Sequence, residues 1–165
     1  MNFGTLFIVL GAALVAALPG IGSAKGTSIV GQAAAGVVAE DPSKFGKVLI
    51  LEVLPGTQGL YGFITAILLF TTTGIMSGSG ITYTWWQGLC YFAACIPMMV
   101  VGLLSAIAQA KTAAAGVGVV AKNPDQSGKA IIFAAMVETY AVLALLISIL
   151  AISNVNNVLV ALGLG

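Results

Sequence analysis

One acid stands apart from every other charge in this chain: Glu138, in Ile131-Ile132-Phe133-Ala134-Ala135-Met136-Val137-Glu138-Thr139-Tyr140, with a further apolar run behind it. The stretch reads as a membrane helix, and an ionised carboxylate near its middle costs about 2.5–3.5 kcal/mol on insertion scales, so it persists only with a partner or a purpose. Two chemistries fit: a protonated acid acting as interhelical glue, or a carboxylate that holds an exchangeable cation. Leu54-Pro55-Gly56-Thr57-Gln58-Gly59-Leu60-Tyr61 supplies candidate partners. At 100° per residue Thr57, Gln58 and Tyr61 share an arc of about 100°, which puts a hydroxyl, an amide and a phenol on one helix face. Pro55 removes a backbone donor and Gly56 and Gly59 loosen the helix around it, so a main-chain carbonyl can turn toward a ligand. Gln109, in Ala106-Ile107-Ala108-Gln109-Ala110-Lys111, brings a second amide to comparable depth. Taken singly, Pro-Gly is a kink and Thr or Gln is glue. Together they offer several hard oxygens and one negative charge, which is what a small dehydrated alkali cation needs in place of its water shell.

Long apolar helices must position these groups. The 165 residues are 59% hydrophobic and 7% charged, against roughly 25% charged in a soluble domain. A net charge of +1, from six lysines and five acids with no His, leaves no basic surface to hold nucleic acid by counterion release. Four runs, near 4 to 39, 43 to 73, 85 to 121 and 127 to 153, exceed the roughly 20 residues needed to cross a bilayer. Met1-Asn2-Phe3 lacks the positive start of a secretory signal, so the first run is expected to stay as a helix. Pro42 and Pro124 suit the first turns of the second and fourth helices, with Asp41 or Asn123 as caps. Lys44, Lys47, Lys122 and Lys129 lie at the two turns, residues 40–47 and 122–129. By the positive-inside rule these turns are expected to be cytoplasmic and the termini outside; Tyr83, Trp85 and Trp86 then form an aromatic belt at the opposite interface. Cys90 and Cys95, five residues apart, are expected to be buried small hydrophobes, not a redox or metal pair.

A shift of 82 residues superposes Gly20 on Gly102, Ser23 on Ser105, Ala39-Glu40-Asp41-Pro42 on Ala121-Lys122-Asn123-Pro124, and Gly46-Lys47 on Gly128-Lys129. The expected architecture is an all-α membrane protein, a tandem parallel repeat of two helical hairpins, 1–82 and 83–165. Both turns fall on one side, unlike the inverted repeats of many secondary transporters. In the same register Glu138 falls on Gly56, so only the second hairpin keeps an acid at that position. Ala12, Ala16, Gly20, Ala24 and Ser28 recur every four residues in the first helix, and Ala106, Ala110, Ala114 and Gly118 in the third, a pattern that lets backbones approach closely. The even helices carry the bulky side chains. Concentric rings account for this, with helices 1 and 3 inside and helices 2 and 4 facing lipid.

Leu54-Pro-Gly-Thr-Gln-Gly-Leu-Tyr-Gly62, Gly22-Ser-Ala-Lys-Gly26, Ala108-Gln-Ala-Lys111 and Ile132-Phe-Ala-Ala-Met-Val-Glu-Thr-Tyr140 together resemble the duplicated proteolipid K subunit of bacterial sodium-pumping V-type ATPases, over nearly the whole chain. The resemblance implies Na+ as the carried ion, with Glu138 as its carboxylate, Thr57, Gln58 and Gln109 as side-chain ligands and the Leu54 carbonyl as a further ligand. Tyr61 would hydrogen-bond Glu138 and lock the occupied site. Also implied are a ring of identical subunits in the cell membrane, a stator subunit whose arginine displaces the ion, and a central shaft on the cytoplasmic turns. ATP would be hydrolysed in other subunits, so this chain is expected not to be an enzyme; it has no nucleotide loop and no nucleophile beside a base. Proton-carrying relatives keep the acid without these neutral oxygens, which favours sodium over H+. A self-contained channel and a scaffolding proteolipid are the competing readings. Glu52, a second acid in helix 2, has three open readings: it faces a cytoplasmic half-channel, carries a proton, or reaches the ring interior. The tail from Asn154 to Gly165 has no assigned role.

Overall fold

The computed structural model describes residues 2–78 and 81–164; Met1 and Gly165, the outer limits of the two expected hairpins, lie outside it. Among the described residues five α-helices build four spans: α1 (Phe3–Glu40), α2 (Phe45–Val53), α3 (Thr57–Thr73), α4 (Trp85–Lys122) and α5 (Ser127–Ala161). The second span, Pro42–Thr73, is α2 and α3 joined by a 3₁₀ turn at Leu54–Gly56, and all four spans are long and apolar enough to cross a membrane. Pro42 and Pro124 each open a 3₁₀ first turn. Asp41 caps its turn by accepting from the Ser43 N–H at 3.1 Å, whereas Asn123 makes no side-chain cap.

Both turns sit at one end of the bundle. Lys44 donates to the Ala121 carbonyl at 2.9 Å and Lys47 lies 3.8 Å from Asp125. At the other end a Cβ on Gly88 would overlap the Gly4 carbonyl, so α1 and α4 touch backbone to backbone there. Nearer the turns Gly22 keeps them close: a Cβ on it would lie 2.7 Å from the Leu103 carbonyl. Tyr83 donates to the Thr73 carbonyl at 2.5 Å, and Trp85 and Trp86 are exposed and stacked.

Two expectations are corrected. The fourth helix does not stop near 153: Ile152, Val155 and Leu159 are buried on one face and carry it to Ala161, while Asn154 satisfies its amide on the Leu150 carbonyl at 2.9 Å. Cys95 is buried but Cys90 only half so. The two small-residue stripes also differ. Ala106 and Ala110 of α4 are buried inside the chain, while Ala24 and Ser28 of α1 are exposed.

Candidate functional site

The second span breaks where its chemistry begins. Pro55 cannot donate to the helical ladder, and the chain tightens to a 3₁₀ turn in which the Thr57 N–H bonds to the Leu54 carbonyl. The Thr57 hydroxyl donates to the same oxygen at 3.0 Å, and the Gly59 N–H donates to Ser23 Oγ of α1 at 2.8 Å. Pinned in this way, α3 turns Gln58 fully inward and leaves Tyr61 one turn further on.

On α5 the buried positions include Ala130, Ala134, Ala141 and Ala144, and Glu138 lies on the same stripe, four residues after Ala134 and three before Ala141. At 1.5 Å per residue the carboxylate is about 16 Å along α5 from Ser127, near the middle of a hydrocarbon core of about 30 Å. The packing of small alanines against α4 draws it toward the other spans. Tyr61 donates to Glu138 Oε1 at 2.6 Å, and Gln109 Nε2 donates to Glu138 Oε2 at 3.4 Å. Gln58 Nε2 donates to Gln109 Oε1 at 2.5 Å, and the Thr57 hydroxyl lies 3.4 Å from Gln58 Oε1. Leu54, Thr57, Gln58, Tyr61, Gln109 and Glu138 thus form one connected network drawn from three spans. Gln58 and Gln109 are fully buried; left unbonded, an amide there would cost roughly 2–7 kcal/mol, so each fixes the other. The network holds oxygens of a carbonyl, a hydroxyl, two amides and a carboxylate, oxygen types that suit a hard monovalent cation; as bonded here Gln109 turns its Nε2 toward Glu138 and its Oε1 toward Gln58.

Some polar residues stand elsewhere. Thr139, in register with Thr57 across the repeat, is exposed and donates to the Met136 carbonyl at 2.8 Å. Glu52 lies in a groove between α1 and α2, away from the network. Lys25 and Lys111 are exposed within α1 and α4, apart from the turn lysines. Ser23 escaped the sequence reading as a site-supporting residue; its recurrence as Ser105 in the repeat was the available signal.

Fold and site define a membrane proteolipid of two tandem hairpins around a partly buried carboxylate network. The family model for the C subunit of ATP synthase matches twice, at residues 10–69 and 92–151, with an offset of 82 residues. The chain is 50% identical to the V-type sodium ATPase subunit K of Enterococcus hirae, across 93% of this chain and 94% of that one. It is 42% identical to the A-type ATP synthase subunit K of Methanocaldococcus jannaschii, across 88% of this chain and 61% of that one. The chain therefore belongs to the family of the ATP synthase C subunit, as a K-type rotor-ring member of the V/A-type ATPases.

Proposed function

We propose that this chain carries one Na+ per copy at Glu138, between two half-channels, as a ring of identical copies turns. The observation that carries the reading is the network itself: Glu138 receives Tyr61 and Gln109 while Thr57, Gln58 and the Leu54 carbonyl stand beside them. With Na+ present, the Leu54 carbonyl, Thr57 hydroxyl, Gln58 and Gln109 amide oxygens and Glu138 carboxylate replace its water. Tyr61 holds Glu138 closed over it. Neutralised in this way, the acid can pass lipid at a cost that the bare carboxylate could not meet. At the stator an arginine competes for Glu138 and releases the ion. ATP hydrolysed in a separate head turns a shaft docked on the turns at residues 40–47 and 122–129, and each Na+ moved against the potential takes about 2.3 kcal/mol per 100 mV. The lysines at those turns support a cytoplasmic position for them in the cell membrane, with the termini outside.

Carbodiimide, which modifies a protonated buried acid, tests the site. At near-neutral pH millimolar sodium should protect Glu138 from labelling, and Thr57→Ala or Gln58→Ala should weaken the protection tenfold or more, the loss of about 1.4 kcal/mol. Labelling that responds to pH and not to sodium would assign proton transport instead.

A further inference from the structure

One serine recurs in both hairpins and has a different fate in each. Ser23 of α1 is buried, and its Oγ accepts the Gly59 N–H of α3 at 2.8 Å. Its image 82 residues on, Ser105 of α4, is buried to the same extent but donates to the Gly102 carbonyl of its own helix, 3.5 Å away. The partners differ because the spans opposite them differ. Pro55 and Gly59 of the first hairpin correspond to Val137 and Ala141 of the second. α5 runs unbroken from Ser127 to Ala161, so the Ala141 N–H is used inside that helix, on the carbonyl four residues back.

In the first hairpin the helix restarts, and a restart leaves donors over. α3 begins at Thr57 with Gly56 as its N-cap. The first N–H groups of a helix have no intrahelical partner, and a polar N-cap side chain ordinarily takes one of them. Gly56 has no side chain to offer. The Thr57 N–H goes to the Leu54 carbonyl, and the Gly59 N–H, third in the helix, goes to Ser23 on α1. Ser23 thus does across a helix interface what an N-cap does along one chain. Glycines permit the approach: a Cβ on Gly59 would lie 3.3 Å from Ser23 Oγ, and one on Gly26 of α1 would lie 2.8 Å from Pro55 Cβ. Thr27, one turn along α1, stands against Gly56 and spends its hydroxyl on the Ser23 and Ala24 carbonyls at 3.0 and 3.2 Å.

The turn fixed in this way is the one that carries ligands. Leu54 and Thr57 lie in it, and Gln58 sits between the two pinned N–H groups of Thr57 and Gly59. A proton on Glu138 needs the carboxyl itself, which Tyr61 and Gln109 already contact. A sodium ion needs, in addition, carbonyl, hydroxyl and amide oxygens held in place of its water. Displacing the turn therefore weakens one occupant and spares the other.

We infer that Ser23 is a positioning residue that sets the preference of the site for Na+ over H+: bonded to Gly59, it holds residues 54–58 where their oxygens can replace the water of the metal ion. The inference rests on the Na+ reading above. Ser23 touches no ion; it acts through the Gly59 N–H.

Carbodiimide labelling of Glu138 in the purified assembly, followed against sodium and separately against pH, tests this. Ser23→Ala removes the acceptor, and Ser23→Cys keeps nearly the same volume with a weak sulfur acceptor, so a loss shared by both belongs to the bond and not to packing. Each should raise the sodium concentration for half-protection by about tenfold, as expected for one lost hydrogen bond. The pH at which labelling falls in sodium-free buffer should stay at the wild-type value, and Ser105→Ala, the same change at the image position, should be protected as the wild type is. A wild-type sodium response in either Ser23 variant, an equal loss in Ser105→Ala, or a pH response that moves together with the sodium response overturns the inference. Wild-type labelling that ignores sodium would instead overturn the Na+ reading on which it rests.

Discussion

Glu138 holds one donor on each carboxylate oxygen, and the shorter bond, 2.6 Å from the Tyr61 phenol, sets what losing that phenol should do. A hydrogen bond to a charged group contributes about 1.5–3 kcal/mol, so Tyr61→Phe should weaken sodium retention roughly 10- to 150-fold while Gln109 still holds the other oxygen. Equilibrium binding of radiolabelled sodium would measure it, and unchanged affinity would remove Tyr61 from the lock. Most of this network was legible in the sequence because Glu138, Gln58 and Gln109 are costly in apolar helices and so announce themselves. Ser23 was not, since a serine hydroxyl settles cheaply in any helix by bonding its own backbone; that it instead accepts the Gly59 N–H depends on how α1 meets α3.

Between elements, glycines mark where backbones touch. A Cβ on Gly62 of α3 would overlap the Val15 carbonyl of α1 and crowd Pro19, whereas one on Gly36 of α1 would meet nothing within 4 Å. Gly62→Ala should therefore destabilise the chain by about 1–3 kcal/mol through overpacking. Gly36→Ala should stabilise it by about 0.4–1 kcal/mol through chain entropy and helix propensity; thermal unfolding in detergent would show the opposite signs. At the first turn Ser43 donates to Asp41 through its hydroxyl at 2.6 Å and its N–H at 3.1 Å. These bonds, the hydroxyl's first, hold the Asp41 carboxyl below its ordinary range. Because the group is depressed, its contribution is present above the ordinary carboxylate range and is lost as pH falls through the lowered value. Ser43→Ala should return Asp41 toward the ordinary range, a shift that NMR titration of the carboxyl would detect. Helix number and type followed from apolar run length, but the end of α5 did not. Asn154, Asn156 and Asn157 resemble a polar tail in sequence, and only the burial of Val155 and Leu159 against the other spans keeps that segment helical.

At the scale of the whole molecule, the duplication explains both what the chain contains and what it leaves open. One hairpin keeps the carboxylate, the other supplies Leu54, Thr57, Gln58 and Tyr61, and the site forms where the two meet. On α4 the stripe is buried at Ala106 and Ala110, while on α1 it is buried at Ala12 and open at Ala24 and Ser28. The spacing of small residues announced both stripes without distinguishing them, because the sequence repeat is nearly symmetric and only the folded pairing of hairpins decides which edge is filled. The central claim is that an exchangeable cation cancels the charge on Glu138. Its most direct measurement is the stoichiometry of radiolabelled sodium bound to the purified assembly. The account predicts one exchangeable sodium per chain, absent in Glu138→Gln although that variant still assembles. Sodium bound equally by Glu138→Gln, or none bound by the wild-type chain, would contradict it.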